Sequence, residues 1–367
     1  MRVLNLSLDK TILEKDSATQ KRLLALAEAA GSITVLVPAS KTEHITLSPH
    51  VTVYSFGGPK VLQFFRMWKT AIQLTTNHQP PTTHFELITV QDPYFLGFLG
   101  AQLAKKFSLP LEVQVHGLEK FSGVRKWIAR FVLGKAKKIR VVSNRLRYTL
   151  AKSYKLKANS LYVLPVYTQI ESLIHNPLSL TKKKGKAIPY PFTFLTVGRL
   201  VPVKNIAMQI RALAKVAERI PHVKLQIVGD GPELARLLLE ARTLNLEASV
   251  VFEGYQKDPQ KYYEEADAFL LTSDSEGWGR VVLEAAAHRL PIIMTDVGLA
   301  QEVIKNNESG FIIPVGDEHE LILAMQELIG NPELRARLGE GALKAFKALP
   351  KGEEQIRQQV TEWSSLR

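Results

Sequence analysis

The 367-residue chain has no cysteine. Disulfides and thiolate metal sites are therefore excluded, and a reducing compartment suits it. Long hydrophobic runs are missing as well. The longest, "YFLGFLGAQLA" from Tyr94 to Ala104, falls well short of the roughly 20 residues that a spanning helix needs. The opening residues "MRVLNLSLDK" lack the apolar core and small-residue cleavage site of a signal peptide, so a soluble, cytoplasmic chain is expected. No short repeat or low-complexity tract is present. Negative charge is scarce in the first half. Residues 1–170 hold 24 Lys+Arg against 9 Asp+Glu, or +15, whereas the remainder carries −2 of the total +13. Between Lys120 and Lys157 stand 13 basic side chains and no acidic one. Such asymmetry calls for an acidic partner of the first half.

What is present is a folded, globular composition, 46% apolar and 23% charged, in a chain long enough for two cores. Short apolar runs alternate with helical patterns. In the first half "RVLNLSL", "ITVLVP", "VTVYSF", "ELITVQ", "LEVQVHG" and "KIRVVS" read as strands. Helices are expected between them over 17–30, 60–77, 93–107, 123–138 and 144–154. The alternation lapses over 171–191, where three prolines and "KKKG" mark a linker. It resumes with "FTFLTVG", "VKLQIVG", "SVVFEG", "AFLLTS", "PIIMT" and "GFIIPV", and the chain closes in helices from Glu318 to Trp363. Near-continuous apolar strands are those of parallel sheets covered on both faces. The fold class is α/β, with two Rossmann-like, doubly wound parallel-sheet domains facing a cleft. Residues 1–170 form the first domain, 192–348 the second, and 349–367 a C-terminal helix returning to the first.

Ligands of open parallel sheets sit outside the carboxyl ends of the strands. In the second half the ends of the first four strands carry suitable chemistry. "VGRLVPVKN" places Arg199 and Lys204 after Gly198, two fixed positive charges suited to phosphate. "VGDGPE" supplies a turn with Gly229 and Gly231, and "FEGYQ" one with Gly254 and Tyr255. "SDSEGWGRVVLEA" sets Glu276 before a helix and Glu284 inside it. Gly277 and Gly279 allow close backbone approach there, and the amides of Trp278, Arg280 and Val281 would face an anion. Glu284 can accept two ribose hydroxyls, and Glu276 can point at a neutral polyol. Any one of these turns alone is ordinary loop chemistry, and acids in a helix's first turn also suit its dipole. Four in succession describe a pocket for a nucleoside diphosphate bearing a hydroxyl-rich group.

From about Phe192 to Val315 the chain closely resembles glycosyltransferase family 4, retaining enzymes of the GT-B architecture. The carboxylate pair of "SEGWGRVVLEA", with seven residues between, carries the resemblance, together with "VGRLVPVKN", "IVGDGPE" and "MTDVGLAQEVI" in order. The resemblance implies that Arg199 and Lys204 bind the donor diphosphate and Glu284 the ribose. It also implies that Glu276 and the Gly277–Val281 backbone hold the donor sugar, with Glu253, Gly254 and Tyr255 against the base. In the first half "VQVHGLEKF" resembles the segment bearing the family's cleft histidine, here His116, and "VVSNRLR" the turn that contributes Ser143 and Asn144. The chain departs from the family where a Gly-Gly loop usually follows the first strand. Ser17, Ala18 and Lys21 of "DKTILEKDSATQKR" stand there instead. The family's usual Asn-Gly-Val-Asp turn is replaced by "LPVYTQ".

The resemblance further implies transfer of a sugar with retention, no cofactor and no metal, the leaving diphosphate being neutralised by Arg199, Lys204 and helix amides. Glu276 orients the sugar rather than attacking it. Uridine and guanosine donors both fit, and the acceptor would be a glycan or lipid-linked saccharide in cell-surface polysaccharide or glycolipid biosynthesis. The basic helices "KVLQFFRMWKTAIQL" and "RKWIARFVLGKAKKIR" carry an apolar stripe that suits packing on the sheet. Their charge suits peripheral contact with anionic membrane at its inner face. A nucleotide-sugar epimerase of the same architecture is the nearest rival. A non-catalytic membrane- or nucleic-acid-binding protein would explain the charge but not Glu276 and Glu284, and no specific nucleic-acid motif is present. A nicotinamide enzyme would require G-x-G-x-x-G after a first strand, which neither half has.

Overall fold

A computed structural model describes residues 1–76, 84–117, 123–166 and 191–366. The chain divides into two compact units, Met1–Tyr167 with Lys351–Arg367, and Thr168–Pro350. The linker expected over 171–191 lies, save for Pro191, outside the described residues.

The first unit is built on strands β1 (Arg2–Leu6), β2 (Ser32–Pro38), β3 (Glu43–Ser48), β4 (Val51–Phe56), β5 (Leu87–Val90), β6 (Leu111–Val115), β7 (Lys138–Val141) and β8 (Leu161–Val163). They form one sheet in the order β3-β4-β2-β1-β5-β6-β7-β8. Every pairing is parallel except β3 with β4. Helices α1 (Ala18–Ala30), α2 (Lys60–Thr76), α3 (Phe95–Phe107), α4 (Gly123–Lys135) and α5 (Asn144–Tyr154) connect them. Strands β3 and β8 were not expected from the sequence. β3 is an exposed edge whose "EHITLS" buries no residue, so it has no apolar run to read. β8 is only three residues long.

The second unit carries β9 (Phe192–Val197), β10 (Val223–Val228), β11 (Val250–Gly254), β12 (Ala268–Leu271), β13 (Ile292–Thr295) and β14 (Phe311–Ile313). The order β11-β10-β9-β12-β13-β14 is parallel throughout. Helices α6 (Ile206–Ala217), α7 (Leu234–Thr243), α8 (Gln260–Glu265), α9 (Arg280–Ala287), α10 (Glu318–Gly330) and α11 (Pro332–Lys347) surround it. Strands 9 to 11 are laid down in one direction and 12 to 14 in the other, so the order reverses between β9 and β12.

The last helix, α12 (Gly352–Ser364), belongs to the first unit. Ile356, Trp363 and Leu366 join Val3, Ile33, Val35, Val51, Val53 and Leu87 in one core cluster with α1. Lys138 pairs with Glu362 at 2.8 Å, and Lys137 donates to the Leu366 carbonyl at 2.8 Å. The opposite sheet face is covered by α3, where a Cβ on Gly100 would overlap Val90 and approach Leu6 Cδ1 at 3.5 Å. Among the described residues no helix is long and apolar enough to cross a membrane.

Trp363 is fully buried in that cluster. Trp363→Ala is expected to destabilise the first unit by about 3–5 kcal/mol, read as a lowered urea midpoint. An unchanged midpoint would show that α12 is not part of this core.

Candidate functional site

In a parallel sheet every strand ends on the same side, and the reversal of strand order opens a crevice where the flanking loops diverge. In the second unit this place lies between β9 and β12. The loop after β9 carries Gly198 to Asn205, and that after β12 carries Thr272 to Gly279. They are tied together by backbone and side chain. Asp274 N donates to Val203 O at 2.8 Å. Thr272 Oγ1 donates to the carbonyls of Lys204 and Asn205 at 3.2 and 3.1 Å. Asn205, in the left-handed region at φ 46, donates from Nδ2 to Asp274 Oδ1 at 3.2 Å.

Across this junction Lys204 Nζ and Glu276 form a tight ion pair, largely shielded from water on both sides. Ser273 Oγ donates to the same Glu276 oxygen at 2.7 Å. An ammonium has three donors, so Lys204 can hold Glu276 and an anion together. The segment after Glu276 is fixed from beyond β13. Leu299 N donates to Trp278 O at 3.0 Å. Gly298 has φ 56, and a Cβ there would meet Trp278 O at 2.6 Å and Glu276 Cβ at 3.0 Å. The Trp278 side chain is buried, so only its backbone is available to a ligand.

Gly279 then turns into α9 at φ 90 and caps it with no side chain, leaving its first amides without a side-chain partner. One turn on, Glu284 Oε2 accepts from Tyr263 Oη at 2.9 Å, and Oε1 lies 3.3 Å from Arg280 Nε. Each oxygen has one protein partner and so keeps capacity for another donor. Burial, with Glu284 alongside, raises the Tyr263 phenol well above its ordinary range, so it stays a donor. The Tyr263 ring stacks on His288 at 5.2 Å. Arg199 is exposed on the loop after β9, and among the described residues no acid pairs with it.

The glycine turns pack closely against one another. A Cβ on Gly229, whose φ is 142, would overlap the Gly198 carbonyl, and one on Gly231 would overlap that of Leu200. Gly198 N donates to Val228 O and Leu200 N to Asp230 O, both at 2.9 Å, and Gly229 N donates to Gly254 O at 2.8 Å. These glycines let three strand-end loops pack backbone on backbone, which holds Arg199 in place. Glu253 is likewise engaged within the unit. Its carboxylate accepts from Gln226 Nε2 at 2.9 Å and Tyr262 Oη at 3.2 Å, while Tyr255 stands exposed.

In the first unit Ser17 and Ser143 have structural work. Each hydroxyl caps its helix, accepting from Gln20 N and Leu146 N at 3.1 Å. Lys21 is exposed on α1. The glycine-free loop is closed by Asp9, which accepts from Thr11 Oγ1 at 2.6 Å and Thr19 Oγ1 at 2.9 Å. His116 follows β6 directly and continues the alternation of Glu112 and Gln114, which places the three on one sheet face. Behind it runs a buried polar layer that the sequence did not disclose. Glu112 accepts from Thr89 Oγ1 at 2.5 Å and from the Tyr162 hydroxyl. Arg140 reaches Gln114 Oε1 at 3.4 Å, Gln359 Oε1 at 3.5 Å and the Pro165 carbonyl at 3.1 Å. Arg22 Nη2 donates to Gln359 at 2.8 Å. Surrounding protein, then the Arg140 and Arg22 guanidiniums, holds the His116 imidazole well below its usual range against the pull of Asp9. The residue keeps solvent-accessible surface at the end of β6, and its imidazole is neutral at pH 7. Three polar residues spaced by two in an apolar strand, "LEVQVH", were the available signal. For Tyr263 and Ser273 there was none.

Two outcomes follow. Gly229→Ala is expected to destabilise the second unit by about 1–3 kcal/mol, seen by denaturant melts; a neutral effect would mean the loops are not packed this closely. The His116 ring protons should titrate below the roughly 6.5 of a free imidazole in an NMR pH series. A midpoint at or above that value would show that Asp9 outweighs the two guanidiniums.

Comparison with known proteins extends this picture. Residues 180–345 match the family described as Glycosyl transferases group 1, and residues 23–166 match Glycosyltransferase Family 4. Among curated relatives, N-acetyl-alpha-D-glucosaminyl L-malate synthase of Bacillus anthracis is 30% identical over 53% of this chain and 52% of its own. A capsular polysaccharide biosynthesis glycosyltransferase of Staphylococcus aureus is 28% identical over 55% of each. The chain thus spans about half the length of the curated relatives it matches. Anabaena HepE, solved with UDP, superposes with a TM-score of 0.79 at 21% identity over 100% of both chains. Sucrose-phosphate synthase of Thermosynechococcus elongatus superposes with a TM-score of 0.80 at 20% identity, over 100% of this chain and 99% of that one. With residues 180–345 and 23–166 matched by these two glycosyltransferase family models, which together span both halves, the chain belongs to the glycosyltransferases they describe.

Proposed function

We propose that this chain is a metal-independent, retaining glycosyltransferase. It would move a sugar from a nucleoside diphosphate donor to a glycan or lipid-linked acceptor, in the making of cell-surface polysaccharide or glycolipid. The observation that carries this reading is the meeting of Lys204 with Glu276 at the strand-order reversal, with Glu284 half-satisfied one turn into the adjoining helix. HepE was solved with UDP and with UDP-glucose. A relative from Campylobacter jejuni, 31% identical over 42% of its length, is named for transfer to a diphospho-undecaprenol saccharide. These names support the donor and acceptor classes assigned here.

In this reading Arg199, Lys204 and the first amides of α9 hold the diphosphate and take up the charge that grows on it as the glycosidic bond breaks. No metal ion is assigned. Glu284 accepts the ribose hydroxyls and Glu276 orients the sugar. The acceptor oxygen attacks the anomeric carbon on the face the diphosphate leaves, and its proton passes to a phosphate oxygen. Glu276, paired with Lys204 and Ser273, is held as an acceptor rather than poised as a nucleophile. His116, neutral at pH 7, is assigned to the acceptor side. The protein works in the cytoplasm, with its first unit in peripheral contact with anionic membrane.

A thermal-shift screen of nucleoside diphosphates and their sugars tests the donor site. UDP or GDP should stabilise the wild type, and both Glu284→Ala and Arg199→Ala should abolish the shift. Arg199→Ala should also lower turnover roughly 10²–10³-fold. A stabilising nucleotide whose effect survives both substitutions would move the donor site elsewhere.

A further inference from the structure

Helices α2 and α4 flank α3 on the sheet face opposite α1 and α12. A Cβ on Gly97 of α3 would meet Val132 Cγ1 of α4 at 2.8 Å, so these two helices lie in close contact. Aromatic rings form a row across the three helices. Phe65 meets Phe64 edge to face at 5.8 Å, and Phe64 stacks on Phe98 at 6.5 Å. Phe98 meets Phe131 at 6.2 Å, and Phe131 stacks on Trp127 at 6.2 Å. The middle of the row is held by packing between helices, but its ends are not. Phe65 is 62% exposed and Trp127 65%, with Val61 at 69% and Val124 at 73% beside them.

Burying an apolar stripe on the sheet accounts for Met67, Ala71, Ala129 and Val132, which are all inside. It does not account for large apolar side chains at the outer ends of the same helices. The charge around them has one sign. α2 contributes Lys60, Arg66 and Lys69, α4 contributes Arg125, Lys126, Arg130 and Lys135, and neither helix has an acidic residue. Scattered apolar side chains on a surface need no explanation. A firmly backed aromatic row whose two ends emerge among seven cations is a different object.

We propose that this face of α2 and α4 docks on an anionic lipid bilayer, with Phe65 and Trp127 seated at headgroup depth and the flanking cations on lipid phosphates. The inference rests on the membrane contact of the proposed function and assigns it a surface. Aromatic side chains with a polar rim suit the bilayer interface. Cations next to them suit its negative potential. The absence of acids on both helices argues for charge complementarity with lipid over a mixed-sign protein surface.

The test is co-sedimentation of the full chain with vesicles of phosphatidylcholine, with and without phosphatidylglycerol, at low and high salt. The wild type should bind only the anionic vesicles, and less as salt rises. Phe65→Ser with Trp127→Ser should lower partitioning about tenfold. Arg125→Glu with Lys126→Glu should lower it roughly 30-fold or more at low salt. Lys347→Glu on the second unit should leave it unchanged. All these positions are exposed, and circular dichroism melts would show each variant folded. Brominated lipid should quench wild-type tryptophan emission, and Trp127→Phe should remove most of that quenching. No binding to anionic vesicles at low salt overturns the proposal, whatever the nucleotide screen gives. Binding that both double variants retain, or that ignores lipid charge, overturns it equally.

Discussion

The ion pair between Lys204 and Glu276 joins the two loops that flank the reversal of strand order in the second unit. Around it the backbone leaves little freedom. Asp274 is hydrogen-bonded to Val203, Thr272 to the carbonyls of Lys204 and Asn205, and Gly298 admits the carbonyl of Trp278 where any side chain would collide. A carboxylate and an ammonium at fixed separation, backed by hydrogen bonds, need little rearrangement when a charged ligand arrives. Preorganisation of that kind is what makes electrostatic catalysis efficient. Glu284 is treated similarly, with Tyr263 and Arg280 each satisfying part of it and neither exhausting it.

The first unit solves a different problem. Its sheet interior contains Glu112 and Arg140, both fully buried, and burying charge is expensive unless it is paired and hydrogen-bonded. Thr89, Gln114, Tyr162 and Gln359 supply those bonds. The layer spans four neighbouring strands, β5 to β8, and α12 completes it. His116 sits at its outer end, where the surrounding protein first, and then the same guanidinium that organises the interior, keep the imidazole neutral.

The strands were legible in the sequence because parallel strands covered on both faces are continuous apolar runs. β9 to β14 all fall on the runs quoted for them, and the helix starts expected at Ser17 and Asn144 fall at the Ser17 cap and directly after the Ser143 cap. β3 was not legible, since an antiparallel edge strand exposed on both sides has no apolar pattern. Within the site, Lys204 and Glu276 were identifiable by type and position after strands. Their pairing was not, because it joins residues 72 positions apart. The "GDGP" turn suggests a ligand approach in the sequence, and in the structure the missing side chains of Gly229 and Gly231 also make room for carbonyls of the neighbouring loop. A sequence shows that a Cβ is absent; only the fold shows what occupies the space. The polar layer escaped for a similar reason, its members being drawn from β5, β6, β7, β8 and α12.

Because α12 closes the first unit, that unit is assembled from two stretches of chain separated by the whole of the second. During synthesis, residues 1–166 leave the ribosome well before Gln359 and Trp363 exist. The bond from Arg140 to Gln359 can form only after the whole of the second unit has been translated. The amino-terminal core therefore lacks Ile356, Trp363 and Leu366 until the final helix has been translated.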